Sequence, residues 1–254
     1  MPRRPLKRPR QLDLRLPTWG GARPGAGRKP AGARPGVTHA PRPRLASRYP
    51  IHVTLRVRPH VYQLRSRRCF RVVGAAFLAA RERHGVRLCH YSVQGNHVHL
   101  LVEARDAQAL GRAMKGLGVR IARGLNRLMG TRGPVLADRY HARILRSPRQ
   151  VRNALAYVLG NHRHHARQWA PRAAGLEARP GARRREGRCR EGQTGLDPYA
   201  SGRAFDGWRR PPGPGDSGAA RGVRGDGPPE IPVVQPHTWL LRTGWRRHGL
   251  LEPA

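Results

Sequence analysis

The chain of 254 residues has few acidic and aromatic side chains and only three cysteines. It carries 14 Asp and Glu against 51 Lys and Arg, so its formal net charge at pH 7 is +37. Aromatic residues make up 6%, whereas Gly (31) and Pro (24) are frequent. This composition excludes a compact enzyme core of the full length, because so many turn-forming residues cannot pack throughout. A chain this basic repels itself unless it meets a polyanion, and nucleic acid is the commonest one in a cell.

The positive charge also has a second explanation. Nearly all of it is arginine, since the only lysines are Lys7, Lys29 and Lys115. A high content of Arg, Ala, Gly and Pro is typical of a GC-rich genome, which raises basicity without selection for binding. Charge therefore favours a nucleic-acid partner but does not establish one.

The cysteines and the apolar segments indicate the compartment. Cys69, Cys89 and Cys189 lie far apart and match no zinc-binding spacing, and an odd set fits a reducing environment. No apolar segment follows the basic first residues, and the longest apolar run, at 72–80, is too short to span a bilayer. We therefore expect a soluble, cytoplasmic protein with no membrane partner.

Composition divides the chain into three parts. Residues 1–47 are rich in Arg, Pro and Gly and are predicted to form a disordered basic arm. Residues 48–168 show regular periodicity and are predicted to fold as one catalytic domain. Residues 169–254 are again rich in Gly, Pro and Arg and are predicted to form a second disordered basic extension. Within it, the Trp- and Leu-containing segments 197–208 and 238–251 are predicted to dock onto the core or a partner.

The periodicity over 48–168 predicts the order strand, helix, strand, strand, helix, strand, helix. A helix is expected over 66–84, ending at His84-Gly85, and Ser147-Pro148 predicts a capped start for the last helix. The other elements are expected at 52–58, 87–94, 97–103, 110–128 and 134–145. The first six follow the split βαβ order of a ferredoxin-like α+β sandwich. Such a fold is an antiparallel sheet with helices on one face and the other face open.

Two histidines share one face of the strand expected at 97–103. Side chains alternate along a strand, so His97 and His99 point one way while the apolar residues between them face the helices. Their α-carbons are about 7 Å apart by strand rise, which suits two imidazoles on one metal ion. A His-x-His pair alone is common, and its place on the polar face is what favours a metal site.

Tyr157 lies on the polar side of the last expected helix. It is about 200° from Leu155 at 100° per residue, whereas a structural tyrosine more often lies with the apolar stripe. Asn161 follows one turn later, so both side chains can reach the same point. That stripe consists of Val151, Leu155, Val158 and Leu159.

The motifs NHVHLLVE (96–103), ADRYHARIL (137–145) and YVLGN (157–161) resemble the single-tyrosine HUH transposases of the insertion-sequence 200/605 type. The resemblance is greatest to the REP-associated tyrosine transposases and covers about residues 48–168. It implies that His97 and His99 bind Mg²⁺ or Mn²⁺. It also implies that Tyr157 is the nucleophile and that Asn161 completes the metal site.

The resemblance implies a DNA endonuclease and strand transferase that acts in DNA transposition or REP-element processing. Tyr157 would attack single-stranded or hairpin DNA and leave a 5′-phosphotyrosine and a free 3′-OH. A phenol with a pKa of about 10 is a poor nucleophile, so the metal would polarise the phosphate. Arg56, Arg139 and Arg143 are alternative stabilisers of the added charge, and Lys115, on the basic side of the long helix, is a further expected DNA contact. Relatives act as monomers or as homodimers, and both remain open here.

Other functions are weighed against this one. A nuclease with two metals on clustered acids is disfavoured, because residues 48–170 contain only Glu82, Glu103, Asp106 and Asp138. A histidine-triad hydrolase would need a third histidine where Leu101 stands. A non-cleaving DNA- or RNA-binding protein on the same fold remains the main alternative. A protein that coats nucleic acid through its charge alone is the other.

Overall fold

A computed structural model of the chain describes residues 43–169, 196–210 and 232–253, and for 162–169 it describes the helix but not the side chains. The basic arm expected at 1–47 lies almost wholly outside the described residues, as does much of the extension expected at 169–254. None of the described helices combines the length and hydropathy needed to cross a bilayer.

The described residues form five strands and four α-helices. In chain order they are β1 (Ile51–Arg56), α1 (Arg67–Leu78), β2 (Glu82–Arg83), β3 (Val86–Val93), β4 (His97–Ala104), α2 (Ala107–Met129), β5 (His141–Ile144), α3 (Pro148–Trp169) and α4 (Trp239–Arg242). Two short 3₁₀ helices lie at Ser201–Ala204 and Gly244–His248.

The strands form one antiparallel sheet in the order β2-β3-β4-β1-β5. Alternate apolar residues of the strands, such as Val53 and Leu100, are fully buried and pack with the apolar sides of α1 and α2. Burial of these side chains is the main stabilising contribution to the domain. The α+β fold with an antiparallel sheet is confirmed.

The second face of the sheet is only partly open, which differs from the expectation that all helices lie on the first. Leu101 and Cys89 on this face form a second buried cluster with α3. Leu101 is an apolar side chain on the otherwise polar side of β4, and it is favourable to bury it under another element. The apolar stripe of α3 also needs a surface to bury, and α1 and α2 already occupy the first face.

Two element boundaries differ from the sequence expectation. Helix α1 ends at Leu78, and His84-Gly85 instead form the tight turn between β2 and β3. Both turn residues have positive φ (56° and 72°), the conformation of a type I′ hairpin. Strand β5 is limited to four residues, whereas a strand was expected over 134–145. The start of α3 is as predicted, since Ser147 Oγ accepts a hydrogen bond from the Gln150 N–H at 3.3 Å.

The segment 196–210 covers the exposed edge of β3. Ala200 forms a β-bridge with Ser92, and the Val93 N–H donates to the Tyr199 carbonyl at 2.9 Å. Arg65 binds both carboxylate oxygens of the buried Asp197, at 2.8 and 2.9 Å. The backbone bonds satisfy an otherwise free sheet edge, and the ion pair fixes the segment in place.

The segment 237–251 is held by Glu103, a buried carboxylate of β4. It accepts hydrogen bonds from the His237 and Thr238 N–H groups, at 2.8 and 2.7 Å, and from the Thr238 hydroxyl at 2.7 Å. The side chain of Trp245 from this segment is fully buried in the cluster under α3. A charged group buried in this way needs such donors to offset its lost hydration.

Candidate active site

The two histidines of β4 lie side by side on the second face of the sheet. His97 pairs in register with Arg56, and His99 pairs with Thr54. The centres of the two imidazole rings are 4.7 Å apart, with the rings nearly perpendicular. His99 is buried, whereas His97 is partly exposed at the end of the strand.

His97 is oriented by its neighbour in the turn. Its Nδ1 lies 2.7 Å from the side-chain oxygen of Asn96. An amide oxygen only accepts, so Nδ1 of His97 is the donor, and in a neutral imidazole the lone pair then lies on Nε2. This is the arrangement by which metal-binding histidines are usually held.

His99 is contacted at both ring nitrogens. Its Nδ1 lies 3.1 Å from His52 Nε2 and 3.2 Å from Thr54 Oγ1. Its Nε2 lies 3.5 Å from the hydroxyl oxygen of Tyr157, at the outer limit of hydrogen bonding. The imidazole of His99, on β4, therefore contacts side chains from both β1 and α3.

His52 is a site residue that the sequence motifs did not identify. Burial, together with smaller electrostatic contributions from His141 and Arg143, lowers the pKa of His52 to about 4. His52 is therefore neutral at physiological pH. The alternation in β1 places His52 and Thr54 on its polar face, but only the register with β4 brings them to His99.

Tyr157 reaches the histidines from α3 while remaining accessible. Its side chain is 40% exposed, and its ring meets that of His99 edge to face, with the centres 5.1 Å apart. The apolar stripe of α3 holds the helix on the sheet, so the tyrosine on its other side is presented to solvent beside the histidines. A nucleophile needs this combination of fixed position and access.

Asn161 is a buried residue of α3, one helical turn after Tyr157. It is 1% exposed, and within the described part of the chain neither its side-chain oxygen nor its nitrogen has a hydrogen-bond partner. Such a group is costly to bury, and nearly all buried amides in proteins are satisfied. Asn161 therefore has a free carbonyl oxygen one helical turn after Tyr157.

By the chemistry of their donor atoms, His97, His99 and Asn161 would suit a divalent metal as a partial ligand set. His97 and His99 offer Nε2 lone pairs, and Asn161 offers an amide oxygen. Among the described residues, no group of three or more His, Cys, Asp or Glu side chains is arranged to hold a metal. Water and a phosphate would have to supply the remaining ligands, as is common for Mg²⁺. Because imidazole suits transition metals better, Mn²⁺ matches the donors more closely than Mg²⁺ does.

The nearby acidic residues have structural roles. Glu103 holds the segment 237–251, and Asp106 caps α2 by accepting from the Ala109 N–H at 2.7 Å. Hydrogen bonds from Ala109 and Arg105 lower the pKa of Asp106. These two carboxylates are therefore engaged away from the histidines.

The basic residues expected to contact DNA fall in different places. Arg56 and Arg143 are exposed on the same sheet face as the histidines, as the register with His97 and His52 shows. Arg139 is exposed in the loop before β5. Lys115 is exposed on α2, which packs on the opposite side of the sheet, so the structure does not bring it to the site.

No protein-family model and no curated protein matches the chain. Among solved structures, it is similar to one described as "Structure of the REP associates tyrosine transposase bound to a REP hairpin". The two are 12% identical, and the match covers 51% of this chain and 74% of that chain with a TM-score of 0.43. A similarity this low carries no argument about function, which must be drawn from the site itself.

Proposed function

We propose that the chain is a metal-dependent tyrosine transposase, a single-stranded DNA endonuclease and strand transferase. The observation that carries the proposal is the contact between Tyr157 and His99. The half-exposed phenol of Tyr157 lies 3.5 Å from the imidazole of His99, whose ring centre is 4.7 Å from that of His97. This contact supports a role for Tyr157 as a nucleophile beside histidines that could hold a metal ion, an arrangement suited to covalent phosphoryl transfer.

The reaction forms one bond and breaks another at phosphorus. The Tyr157 oxygen attacks the scissile phosphate in line, and its proton leaves to water, which the exposed side chain allows. The bond from phosphorus to the 3′ oxygen breaks, and that oxygen takes a proton from water. The products are a 5′-phosphotyrosine and a free 3′-OH. Attack by the 3′-OH of another strand reverses the step, so strand transfer needs no ATP.

His97, His99 and Asn161 are the residues that would hold Mg²⁺ or Mn²⁺. When bound, the ion would polarise the phosphate and offset charge on its oxygens. Arg56 and Arg143, on the same face, would stabilise the remaining charge of the phosphate. Their guanidinium groups suit two-point contact with phosphate oxygens.

The proposed substrate is single-stranded or hairpin DNA. The site lies on a sheet face that α3 and the C-terminal segments partly cover. A single strand can enter this space and place one phosphate against Tyr157, whereas a continuous duplex is bulkier. The basic exposed residues supply contacts to the other phosphates, which carry no sequence information themselves.

The test is trapping of the covalent adduct. Purified full-length protein is incubated with Mn²⁺ and a panel of hairpin and unpaired oligonucleotides labelled at the 3′ end, because the protein joins the 5′ end of the released 3′ fragment. A denaturing gel should show a labelled protein band for the wild type and for Tyr62→Phe, which changes an exposed tyrosine in the loop between β1 and α1. Tyr157→Phe should give none.

The same gel addresses the main alternative. If no oligonucleotide gives an adduct while the protein still binds hairpins in a mobility-shift assay, the function is binding without cleavage. If binding shows no hairpin preference and falls steeply with salt, charge alone accounts for it.

A further inference from the structure

His52 makes a side-chain contact with His99 across two strands. Its Nε2 lies 3.1 Å from His99 Nδ1, and the ring centres are 5.1 Å apart. The contact is diagonal, because the direct register partner of His52 on β4 is Leu101. Thr54, the direct partner of His99, approaches the same nitrogen at 3.2 Å.

The position of the His99 proton follows from the group on the other side of the ring. The Tyr157 hydroxyl is a good donor and a phenol oxygen is a weak acceptor, so the favoured arrangement has Nε2 of His99 accepting. A neutral imidazole carries one proton, which must then be on Nδ1. That proton points at His52 and Thr54.

We infer that His52 is a positioning residue that holds the proton of His99 on Nδ1, so that the Nε2 lone pair faces Tyr157 and the metal position. The geometry is that of the contact between His52 and His99, whereas the role in metal binding rests on the proposed function. A hydroxyl both donates and accepts, so Thr54 by itself favours neither tautomer. A neutral imidazole can likewise donate or accept at Nε2, but once the Tyr157 contact places the His99 proton on Nδ1, the His52 Nε2 lone pair accepts that proton and stabilises this tautomer.

The consequence for the ion is a change in affinity. A metal-binding histidine whose second nitrogen loses its partner is less well oriented and more often carries its proton on the wrong nitrogen. Loss of such a partner typically lowers metal affinity by about 10- to 100-fold. His52 touches neither phosphate nor ion in this scheme and acts only through His99.

The test combines a spectroscopic readout with metal binding. Long-range ¹H–¹⁵N correlation spectra of the metal-free full-length protein report which nitrogen of His99 is protonated. We expect the Nδ1–H form in the wild type and a mixture or the Nε2–H form in His52→Leu. Mn²⁺ titration followed by electron paramagnetic resonance should show affinity lowered about tenfold or more in His52→Leu.

Control variants separate this role from a packing role. His52→Gln, whose side-chain oxygen can accept the same proton, should restore the Nδ1–H form and most of the Mn²⁺ affinity. His60→Ala, which removes an exposed histidine after β1, should change neither. If His52→Leu does not fold, as judged by circular dichroism, His52→Ser serves instead because its hydroxyl is too short to reach His99.

The inference is overturned if wild-type His99 carries its proton on Nε2. It is also overturned if the variant that lacks the acceptor keeps both the Nδ1–H form and the wild-type Mn²⁺ affinity. Failure of the proposed function has a different signature. In that case the wild type gives no covalent adduct, while the tautomer spectra, recorded without metal or DNA, still decide the role of His52.

Discussion

At the scale of single residues, Asn161 is unusual for a buried amide in the described part of the chain. Its side chain is buried, and both of its polar atoms lack partners among the residues that the structure describes. An unsatisfied buried amide costs about 1–3 kcal/mol of stability. In the proposed function, an ion bound to the carbonyl oxygen would recover part of this cost.

Asn161→Leu is therefore expected to act in opposite directions on stability and on metal binding. An apolar side chain of similar size removes the unsatisfied groups, so the free energy of unfolding in urea should rise by about 1 kcal/mol. Mn²⁺ affinity should fall, because the amide oxygen is gone. Asn153→Leu, an exposed asparagine two turns earlier in α3, should leave Mn²⁺ affinity unchanged. A clear loss of stability in Asn161→Leu would show that the amide has a structural partner.

His90 predicts how stability depends on pH. Burial lowers its pKa in the folded protein to about 4, against an ordinary value near 6.5, although Asp206 opposes the shift. Below pH 6.5 the unfolded chain thus binds more protons, and lowering the pH destabilises the fold. This group alone should remove about 2 kcal/mol between pH 7 and pH 5.

The measurement compares urea unfolding at both pH values. His90→Gln should lose about this much of the pH dependence, and His60→Gln, at an exposed position, should keep the wild-type dependence. Equal pH dependence in wild type and His90→Gln would contradict the buried, neutral state of His90. His52, whose pKa is also lowered, contributes in the same direction in all three proteins.

Local periodicity carries enough information to single out some site residues and not others. His97 and His99 share a face because strand side chains alternate, and Tyr157 lies off the stripe because a helix has 3.6 residues per turn. Both rules act over a few residues. The contact from His52 to His99 joins residues 47 apart and depends on strand register, which the sequence pattern does not give.

At the scale of elements, two buried carboxylates attach the C-terminal segments to the sheet. Asp197 binds Arg65 with two hydrogen bonds, and Glu103 receives the N–H groups that begin the segment 237–251. These segments bring Phe205, Trp208 and Trp245 into the cluster under α3. They therefore support the helix that carries Tyr157.

Asp197→Ala should destabilise the domain far more than a matched change at the surface. The Asp197 side chain is 1% exposed, and its loss leaves Arg65, itself mostly covered, without its partner. The expected loss is about 3 kcal/mol. Asp206 pairs with Arg246 but is 74% exposed, so Asp206→Ala should cost less than about 1 kcal/mol. Similar losses in the two variants, measured by urea unfolding, would show that the Asp197 pair does not hold the segment.

The elements themselves were largely predictable, and the differences have local causes. The order of strands and helices follows from periodicity, as does the cap at Ser147. The end of α1 was placed too late because residues 79–83 contain no proline or glycine to mark a stop, and β2 is only two residues long. The packing of α3 on the second face was not predicted, because the apolar stripe of a helix does not indicate which face of the sheet it packs against.

At the scale of the whole molecule, the shortage of acidic residues shapes the site. Glu103, Asp106 and Asp197 are engaged in holding or capping elements, and the face around His99 carries Arg56 and Arg143 instead. In the proposed function, histidine and asparagine ligands would hold the ion without adding the negative charge that carboxylates would bring to a site for an anionic strand. The scarcity of acidic residues thus accounts both for the positive charge of the chain and for the use of neutral side chains as the proposed metal ligands.

The most direct measurement of the central claim is identification of the residue joined to DNA. The adduct formed with Mn²⁺ is treated with nuclease and trypsin and then analysed by mass spectrometry. Cleavage after Arg152 and Arg163 releases residues 153–163, in which Tyr157 is the only tyrosine. We expect the nucleotide mass on this peptide, localised to Tyr157 by fragmentation. A nucleotide on a peptide that contains any of the five other tyrosines (Tyr49, Tyr62, Tyr91, Tyr140 or Tyr199), or on a residue other than tyrosine, would contradict the assignment of Tyr157 as the nucleophile.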